Sequence, residues 1–204
     1  MAQIEWLGHA SFRLRNGATV YIDPWKLKAD EPKADVILVS HTHYDHLSIE
    51  DIEKIRTPQT RILGSMDCAD KIAPPLIGAR PGEAHTLAGV AVRTLPAYNI
   101  NKEFHPRASD WLGFIITLGG ETIYYVGDSD LIPEMADAGR VDTALIPVGG
   151  TYTMTAAEGA QAAERIGARR VIPYHWGDIV GTRADAEAFV RACPSTAEIL
   201  EISR

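Results

Sequence analysis

The sequence is poor in cysteine and shows neither of the patterns in which cysteines usually carry structure. Only two cysteines, Cys68 and Cys193, occur in 204 residues, and they form no Cys-x-x-Cys pair. This excludes a disulfide framework and a zinc site built on paired thiolates. We expect the protein to work in a reducing compartment, where free thiols are the rule.

Long apolar runs are also missing. The longest ones, 36–40 and 114–118, have the length of strands, far below the roughly 20 residues of a membrane-spanning helix. Residues 1–6 lack the basic segment and apolar stretch that begin a signal peptide. These observations predict a cytoplasmic protein without a membrane span.

Positive charge is neither abundant nor concentrated. Twenty Lys and Arg stand against 27 Asp and Glu, which gives a formal net charge of −7, and the longest basic cluster is Arg169-Arg170. Non-specific nucleic-acid binding needs a concentrated positive face, so we expect a small-molecule substrate and no nucleic-acid partner. The sequence carries no sign of an oligomeric state. With 46% hydrophobic and 23% charged residues, residues 1–204 are predicted to form one globular domain.

The first and middle parts of the chain are predicted to consist mainly of strands, and the last third is predicted to alternate strands with helices. Strands are predicted at 4–7, 11–15, 19–23, 36–40, 61–64, 84–87, 90–95, 111–118, 122–126, 143–147, 170–173 and 198–202. Helices are predicted at 48–55, 65–72, 155–166 and 183–191. Asn16-Gly17 is typical of a hairpin turn, and Ser48 with Asp51 and Thr155 with Glu158 fit capping boxes.

Three of the seven histidines fall within six residues, in His41-Thr42-His43-Tyr44-Asp45-His46. The cluster follows an apolar strand, at the end where α/β proteins build their sites. His41 and His43, two residues apart, can point toward one ion, while Asp45 and His46 point toward a second. Imidazole and carboxylate ligands suit Zn²⁺, with Mn²⁺ or Fe²⁺ as alternatives. The pattern predicts a binuclear site with two divalent transition-metal ions.

Further ligands have to come from other strand ends. Asp128 follows the strand 122–126 and could bridge both ions, and His175 follows the strand 170–173. His105 lies in the irregular segment 96–110, which leaves it free to turn inward. His85 is its rival, but it alternates with apolar neighbours inside a strand. We therefore predict His105 as the ligand and His85 as a solvent-facing residue.

Other residues near these segments keep two interpretations each. His9 either supports the ligands or belongs to a structural turn. Tyr152, Lys102 and Arg107 either contact the substrate or serve packing and solvation.

The ordered set His41-x-His43-x-Asp45-His46, His105, Gly127-Asp128 and His175 resembles the metallo-β-lactamase superfamily along the whole chain. The segment 7–12 and the short length are similar to its compact ascorbate-phosphate lactonase-like branch. Asp23 resembles the early structural aspartate of the superfamily. The loop that carries His105 departs from the common Gly-His-x-x-Gly-His form.

The resemblance implies a four-layer αββα sandwich, in the α/β class, with the metals at one edge between two sheets. It implies a metal-dependent hydrolase in which a hydroxide bridging the ions, oriented by Asp45, cleaves an ester, lactone or phosphodiester. The positive ions would draw a small anionic substrate.

Other functions stay open beside this one. A nuclease of the same superfamily is disfavoured by the acidic balance of the chain. A two-iron oxidoreductase would usually need a further electron-carrier domain. A non-catalytic metal-binding or sensing module would be expected to lose ligands.

Overall fold

Thirteen strands and three α-helices make up the chain in the computed structural model, which describes residues 1–193 and 195–203. The strands are β1 Gln3–Gly8, β2 Ser11–Arg15, β3 Thr19–Ile22, β4 Val36–Val39, β5 Arg61–Ser65, β6 Leu76–Ala79, β7 Ala84–Leu87, β8 Val90–Pro96, β9 Leu112–Leu118, β10 Glu121–Tyr125, β11 Thr143–Pro147, β12 Arg170–Tyr174 and β13 Thr196–Ala197. The α-helices are α1 Ile49–Ile55, α2 Ala156–Ile166 and α3 Arg183–Ala192. Within those residues, no helix combines the length and apolar character that a membrane crossing requires.

The strands form two mixed sheets that follow chain order. In the first sheet, β1 to β3 are antiparallel, and β3 to β6 run parallel to one another. In the second sheet, β7 to β10 are antiparallel, and β10 to β13 are parallel. Each sheet therefore has a parallel half, whose strands end along a common edge.

The two sheets pack face to face, and helices cover their outer faces. Phe12 of the first sheet contacts Tyr125 and Tyr174 of the second, with ring centroids 6.2 and 5.5 Å apart. On the outer face of the first sheet, Ile52 and Ile55 of α1 join a separate apolar cluster. Helices α2 and α3 pack on the second sheet through small and aromatic residues. The predicted αββα sandwich is confirmed.

Local signals placed most helices and hairpins correctly. Gly17 lies in the turn between β2 and β3, and Thr155 and Glu158 form the predicted capping box of α2. Ser48 caps α1, but Asp51 does not complete a box. The Asp51 carboxylate instead accepts hydrogen bonds from the backbone N–H groups of Lys26 and Leu27, because the β3–β4 connection lies against the helix.

Two sequence predictions are wrong, and one strand was missed. The helix expected at 65–72 is only a 3₁₀ turn, Met66–Cys68, since the Ser65 hydroxyl bonds the Asp67 carboxylate instead of capping a helix. Strand β6 was missed because Gly78 interrupts its apolar pattern. The final strand is Thr196–Ala197 rather than 198–202, and Ile202 forms a single bridge to Trp6 in the other sheet.

Gly127 connects β10 to Asp128, and its missing side chain lets two segments approach closely. Its φ is +76°, and a Cβ there would lie 2.6 Å from the Leu112 carbonyl oxygen and 2.9 Å from Ala97 Cβ. Gly17 has a similar φ of +80°, but nothing lies within 4 Å of a Cβ at that position.

We predict that Gly127→Ala destabilises the metal-free protein more than Gly17→Ala. Both substitutions place Ala in the left-handed region, at a cost of about 1–2 kcal/mol, but only Gly127→Ala adds an overpacking cost of about 1–3 kcal/mol. Denaturant unfolding of both variants measures the difference. Equal losses in the free energy of unfolding would show that the close approach at Gly127 has no energetic weight.

Candidate metal centre

All seven residues predicted as ligands lie at the edge where the parallel strands end. The segment 41–46 follows β4, Asp128 follows β10 through Gly127, and His175 follows β12 directly. His105 reaches the same edge from the loop between β8 and β9. Four separate parts of the chain thus contribute to one cluster.

One group in the cluster consists of His41, His43 and His105. Each offers a nitrogen, and these three nitrogens lie within 4.8 Å of one another. Trp111 packs against all three rings, with centroids 4.7, 4.8 and 5.5 Å away. The Trp111 indole in turn donates to the Asp67 carboxylate, at 2.9 Å. The Trp111 ring therefore packs these three imidazoles together.

The second group consists of His9, Asp45, His46 and His175, whose donor atoms also lie within 4.8 Å of one another. Asp128 stands between the two groups. Its Oδ2 lies 2.9 Å from His175 Nε2 and 3.3 Å from the Nε2 atoms of His46 and His105. One carboxylate therefore contacts histidines of both groups, as a bridging ligand must.

Hydrogen bonds behind the imidazoles select the nitrogen that faces the cluster. His46 Nδ1 lies 2.8 Å from Asp23 Oδ2, and His105 Nδ1 lies 3.0 Å from Asn99 Oδ1. His41 Nδ1 contacts the hydroxyl of Ser40 at 2.9 Å, and this hydroxyl already donates to Asp23. Each Nδ1 therefore donates a proton outward, which makes Nε2 the nitrogen that faces the cluster and could bind a metal.

Several of the inward-facing atoms are buried and form no hydrogen bond within the described residues. They are Nε2 of His41, His46, His105 and His175, and Oδ1 of Asp128. Three of these nitrogens converge on the single Asp128 Oδ2, at 2.9 to 3.3 Å, without a hydrogen bond of normal geometry. Buried polar atoms without partners are costly and rare. Nitrogen and carboxylate oxygen atoms gathered in this way fit a divalent transition-metal ion, which would satisfy them together.

Asp23 supports the cluster from behind. The residue is fully buried and has a φ of +44°. Its carboxylate accepts from the Ser40 backbone N–H, the Ser40 hydroxyl, His46 Nδ1 and the Tyr125 hydroxyl. Because Tyr125 belongs to the second sheet, this carboxylate joins both sheets to the His46 ring.

His9 contacts the cluster through Asp45. Its Nε2 lies 2.9 Å from Asp45 Oδ2, and its carbonyl oxygen accepts from the Trp6 indole and the His175 backbone N–H. His9 and His175 both have a positive φ, of 49° and 63°. Strained non-glycine residues of this kind persist where the surrounding structure holds them. His9 is therefore a buried residue of the turn between β1 and β2 that also supports Asp45.

The buried groups differ in protonation. Burial acts to lower the pKa of His46, but the charges and hydrogen bonds of Asp128 and Asp23 outweigh it and raise this pKa well above its ordinary value, so a metal at His46 would displace a proton. Burial lowers the pKa of His41 well below its ordinary value, and it also lowers the pKa of His43, so both are neutral imidazoles near pH 7. Burial acts to raise the pKa of Asp45, but the hydrogen bond from His9 and the charge of His46 outweigh it and lower this pKa to about 2. For Asp128, burial is likewise outweighed by His175 and His46, which lower its pKa well below the usual range.

A cavity of about 300 Å³ opens onto the cluster. Its lining residues are His43, Tyr44, Asp45, Phe104, His105, Asp128, Tyr152, His175 and Ile179. Tyr152, whose role the sequence left open, is therefore in a position to contact a substrate. Lys102 and Arg107 do not line the cavity, and they pair with the carboxylates of Asp130 and Glu134.

The structure distinguishes His105 from His85, the alternative candidate ligand. His85 lies on β7, where its Nε2 pairs with Glu83 at 3.1 Å, and it belongs to neither histidine group. Sequence reasoning missed Ser40, Asn99 and Trp111, which hold the ligand rings. Only Ser40 had a local signal, since it directly precedes His41.

Comparisons with known proteins agree with this geometry. A family model described as "Beta-lactamase superfamily domain" matches residues 3–175. A UPF0173 metal-dependent hydrolase of Hyperthermus butylicus is 36% identical, over 94% of this chain and 90% of its own. Another from Thermococcus kodakarensis is 32% identical, over 98% and 96%.

Solved structures show the same fold. A protein from Parabacteroides distasonis is 29% identical and has a TM-score of 0.88, over 99% of this chain and 94% of its own. Igni18, a metallo hydrolase from Ignicoccus hospitalis, is 22% identical and has a TM-score of 0.79, over 100% and 96%.

We predict that Asp23→Asn weakens Zn²⁺ binding by about 10- to 100-fold, the range seen when partners behind a ligand are altered. The amide cannot accept from Ser40 and His46 as the carboxylate does. Competition with a chromogenic chelator measures the affinity. The control is Asp35→Asn at the opposite end of the same strands, where an exposed carboxylate accepts from Thr19 N–H. Equal affinities in the two variants would contradict the supporting role of Asp23.

Proposed function

We propose that this chain, which belongs to the metallo-β-lactamase superfamily and is a metal-dependent hydrolase like its relatives, uses two divalent transition-metal ions. Zn²⁺ is the first choice for this ligand set, with Mn²⁺ or Fe²⁺ as alternatives. The reaction we propose is hydrolysis of an ester, lactone or phosphodiester in a small substrate. Residues 1–204 would act as one hydrolase domain.

The observation that carries the proposal is the convergence of unpartnered buried nitrogen and oxygen atoms beside an open cavity. In the proposed arrangement, His41, His43 and His105 hold one ion. Asp45, His46 and His175 hold the other ion, and Asp128 contacts both. This division follows the two groups of donor atoms and the position of Asp128 between them.

When bound, such ions lower the pKa of coordinated water toward neutrality and polarise the oxygen of the attacked group. Asp45 stays ionised because its pKa is about 2. His9 donates to Asp45 Oδ2, and the second lone pair of Oδ2 would remain for an ion. Oδ1 would then accept a hydrogen bond from the attacking water and so orient it. The two carboxylates of the ligand set offset only half the charge of two divalent ions, so the site favours an anionic or electron-rich scissile group.

The nuclease alternative receives no support from the site. A cavity of about 300 Å³ is at the small end for ligand pockets, and no Lys or Arg of the described chain is among its lining residues. A nucleic-acid backbone would need such cations along its path.

The test is turnover by protein purified without chelator and loaded with Zn²⁺ or Mn²⁺. We expect hydrolysis of at least one member of a panel containing p-nitrophenyl acetate, dihydrocoumarin and bis(p-nitrophenyl) phosphate. Activity should disappear in chelator and return with metal. A loaded protein that binds metal but turns over none of the three would favour a binding or sensing module.

The matched variants are His105→Ala and His85→Ala. We expect His105→Ala to lower metal affinity or hydrolysis by about tenfold or more, because it removes a proposed ligand beside Asp128. His85→Ala should leave both nearly unchanged, since its ring pairs with Glu83 on β7. Loss of activity in His85→Ala with normal activity in His105→Ala would show that the third ligand segment is misplaced.

A further inference from the structure

The cavity beside the metal centre has a second wall that the ligand set does not explain. Beside the histidines and carboxylates, the lining contains four apolar or aromatic side chains, from Tyr44, Phe104, Tyr152 and Ile179. The Phe104 and Tyr152 rings meet edge to face with centroids 4.6 Å apart. These four residues are called the apolar wall below.

Three of the four side chains of the apolar wall are exposed to solvent. Tyr44 is 68% exposed, Phe104 45% and Ile179 36%. They come from three separate loops, and they are three of the nine large hydrophobic residues that stand exposed in the described chain. Exposed apolar side chains that gather at one cavity indicate a surface that binds an apolar group.

No Lys or Arg of the described chain lines the cavity, and three cations on neighbouring segments are paired with carboxylates. Lys102 pairs with Asp130. Arg107 pairs with Glu134 and lies over the Tyr98 ring. Lys26 pairs with Asp178 and lies over the Trp25 ring. A negative charge on the part of a substrate that touches the wall would therefore meet no Lys or Arg among the lining residues, and only neutral donors such as the Tyr44 and Tyr152 hydroxyl groups.

Asn99 connects one residue of the apolar wall, Tyr152, to the proposed ligand His105. The Asn99 carbonyl oxygen accepts from the backbone N–H and from Nδ1 of His105, both at 3.0 Å. Its amide donates to the Tyr152 carbonyl oxygen at 2.9 Å and to Asp130 at 3.2 Å. One buried side chain therefore holds a proposed ligand and a wall residue at a set spacing, which is what selection among substrates requires.

Resting on the proposed hydrolase function, we propose that the substrate carries a neutral apolar group, a short alkyl chain or an aryl ring, directly beside the scissile ester or lactone. The metal centre takes the polar scissile group, and the apolar wall takes its neighbour. The cavity of about 300 Å³ limits that neighbour to a small group.

The first arm of the test measures binding and needs no turnover. Zn²⁺-loaded protein is titrated by calorimetry with acetate, butyrate, hexanoate and adipate, each of which offers a carboxylate to the ions. We expect each added methylene from acetate to hexanoate to tighten binding by up to about fourfold. Adipate, which ends in a second carboxylate, should bind at least tenfold more weakly than hexanoate. Equal affinities across the series, or a preference for adipate, would overturn the proposal.

A substitution in the wall supplies the matched comparison. Ile179→Lys places a cation in the wall at an exposed position. The variant should therefore bind hexanoate more weakly and adipate more tightly than the parent protein does, until the preference for hexanoate over adipate is lost. The control is Ile77→Lys on β6, where the isoleucine is 38% exposed and lies outside the cavity lining. This control should keep the preference of the parent protein, and an equal shift in both variants would contradict the role of the wall.

The second arm compares turnover of p-nitrophenyl hexanoate with that of the p-nitrophenyl monoester of adipic acid. These esters have the same chain length and differ in a terminal methyl or carboxylate. We expect at least tenfold higher kcat/KM for the hexanoate. Chain-length-dependent binding without hydrolysis of either ester would support the apolar wall and contradict the hydrolase function. Hydrolysis of both esters at equal rates, together with equal affinities for acetate, butyrate and hexanoate, would support the hydrolase function and contradict the proposed role of the apolar wall.

Discussion

The buried carboxylate of Asp23 is the constraint on which the rest of the site depends. It accepts four hydrogen bonds, from two groups of Ser40, from His46 and from Tyr125. These partners belong to the loop that follows β4 and to a strand of the opposite sheet. A charged group without solvent is tolerated only when it is fully bonded, so the two sheets must meet in one register there. That register places the histidines after β4 opposite Asp128 and His175.

The same edge holds polar groups that the protein alone leaves unsatisfied. The Nε2 atoms of His41, His46, His105 and His175 and Asp128 Oδ1 form no hydrogen bond among the described residues. The Nδ1 atoms of His41, His46 and His105 are bonded, while that of His175 is not. A structural polar network would bond both sides of each ring, since half-satisfied networks are costly. The asymmetry therefore has a functional explanation, because bound ions would complete the inner side. Three of the six non-glycine residues with a positive φ in the described chain, His9, Asp23 and His175, lie at the same place.

Much of this could be predicted from local sequence signals. A continuous apolar run followed by His41 to His46 placed the first candidate ligands at the end of a strand. The glycine before Asp128 marked a turn at the end of another strand. The capping residues of α2 were correct because caps depend on neighbours in the chain.

Features that depend on distant packing could not be predicted in this way. Asn99 and Trp111 matter because a loop folds them onto His105, and neither has a sequence pattern that reveals this. The last strand was misplaced because the pairing of β13 with β12 covers only two residues, too short for an alternating pattern to identify.

The central claim is that seven side chains of this edge hold two ions. Anomalous diffraction from crystals of the Zn²⁺-loaded protein, recorded on both sides of the zinc absorption edge, tests it most directly. The account predicts two anomalous peaks, one beside His41, His43 and His105 and one beside Asp45, His46 and His175, with Asp128 in contact with both. A single peak, or two peaks that do not share Asp128, would contradict it.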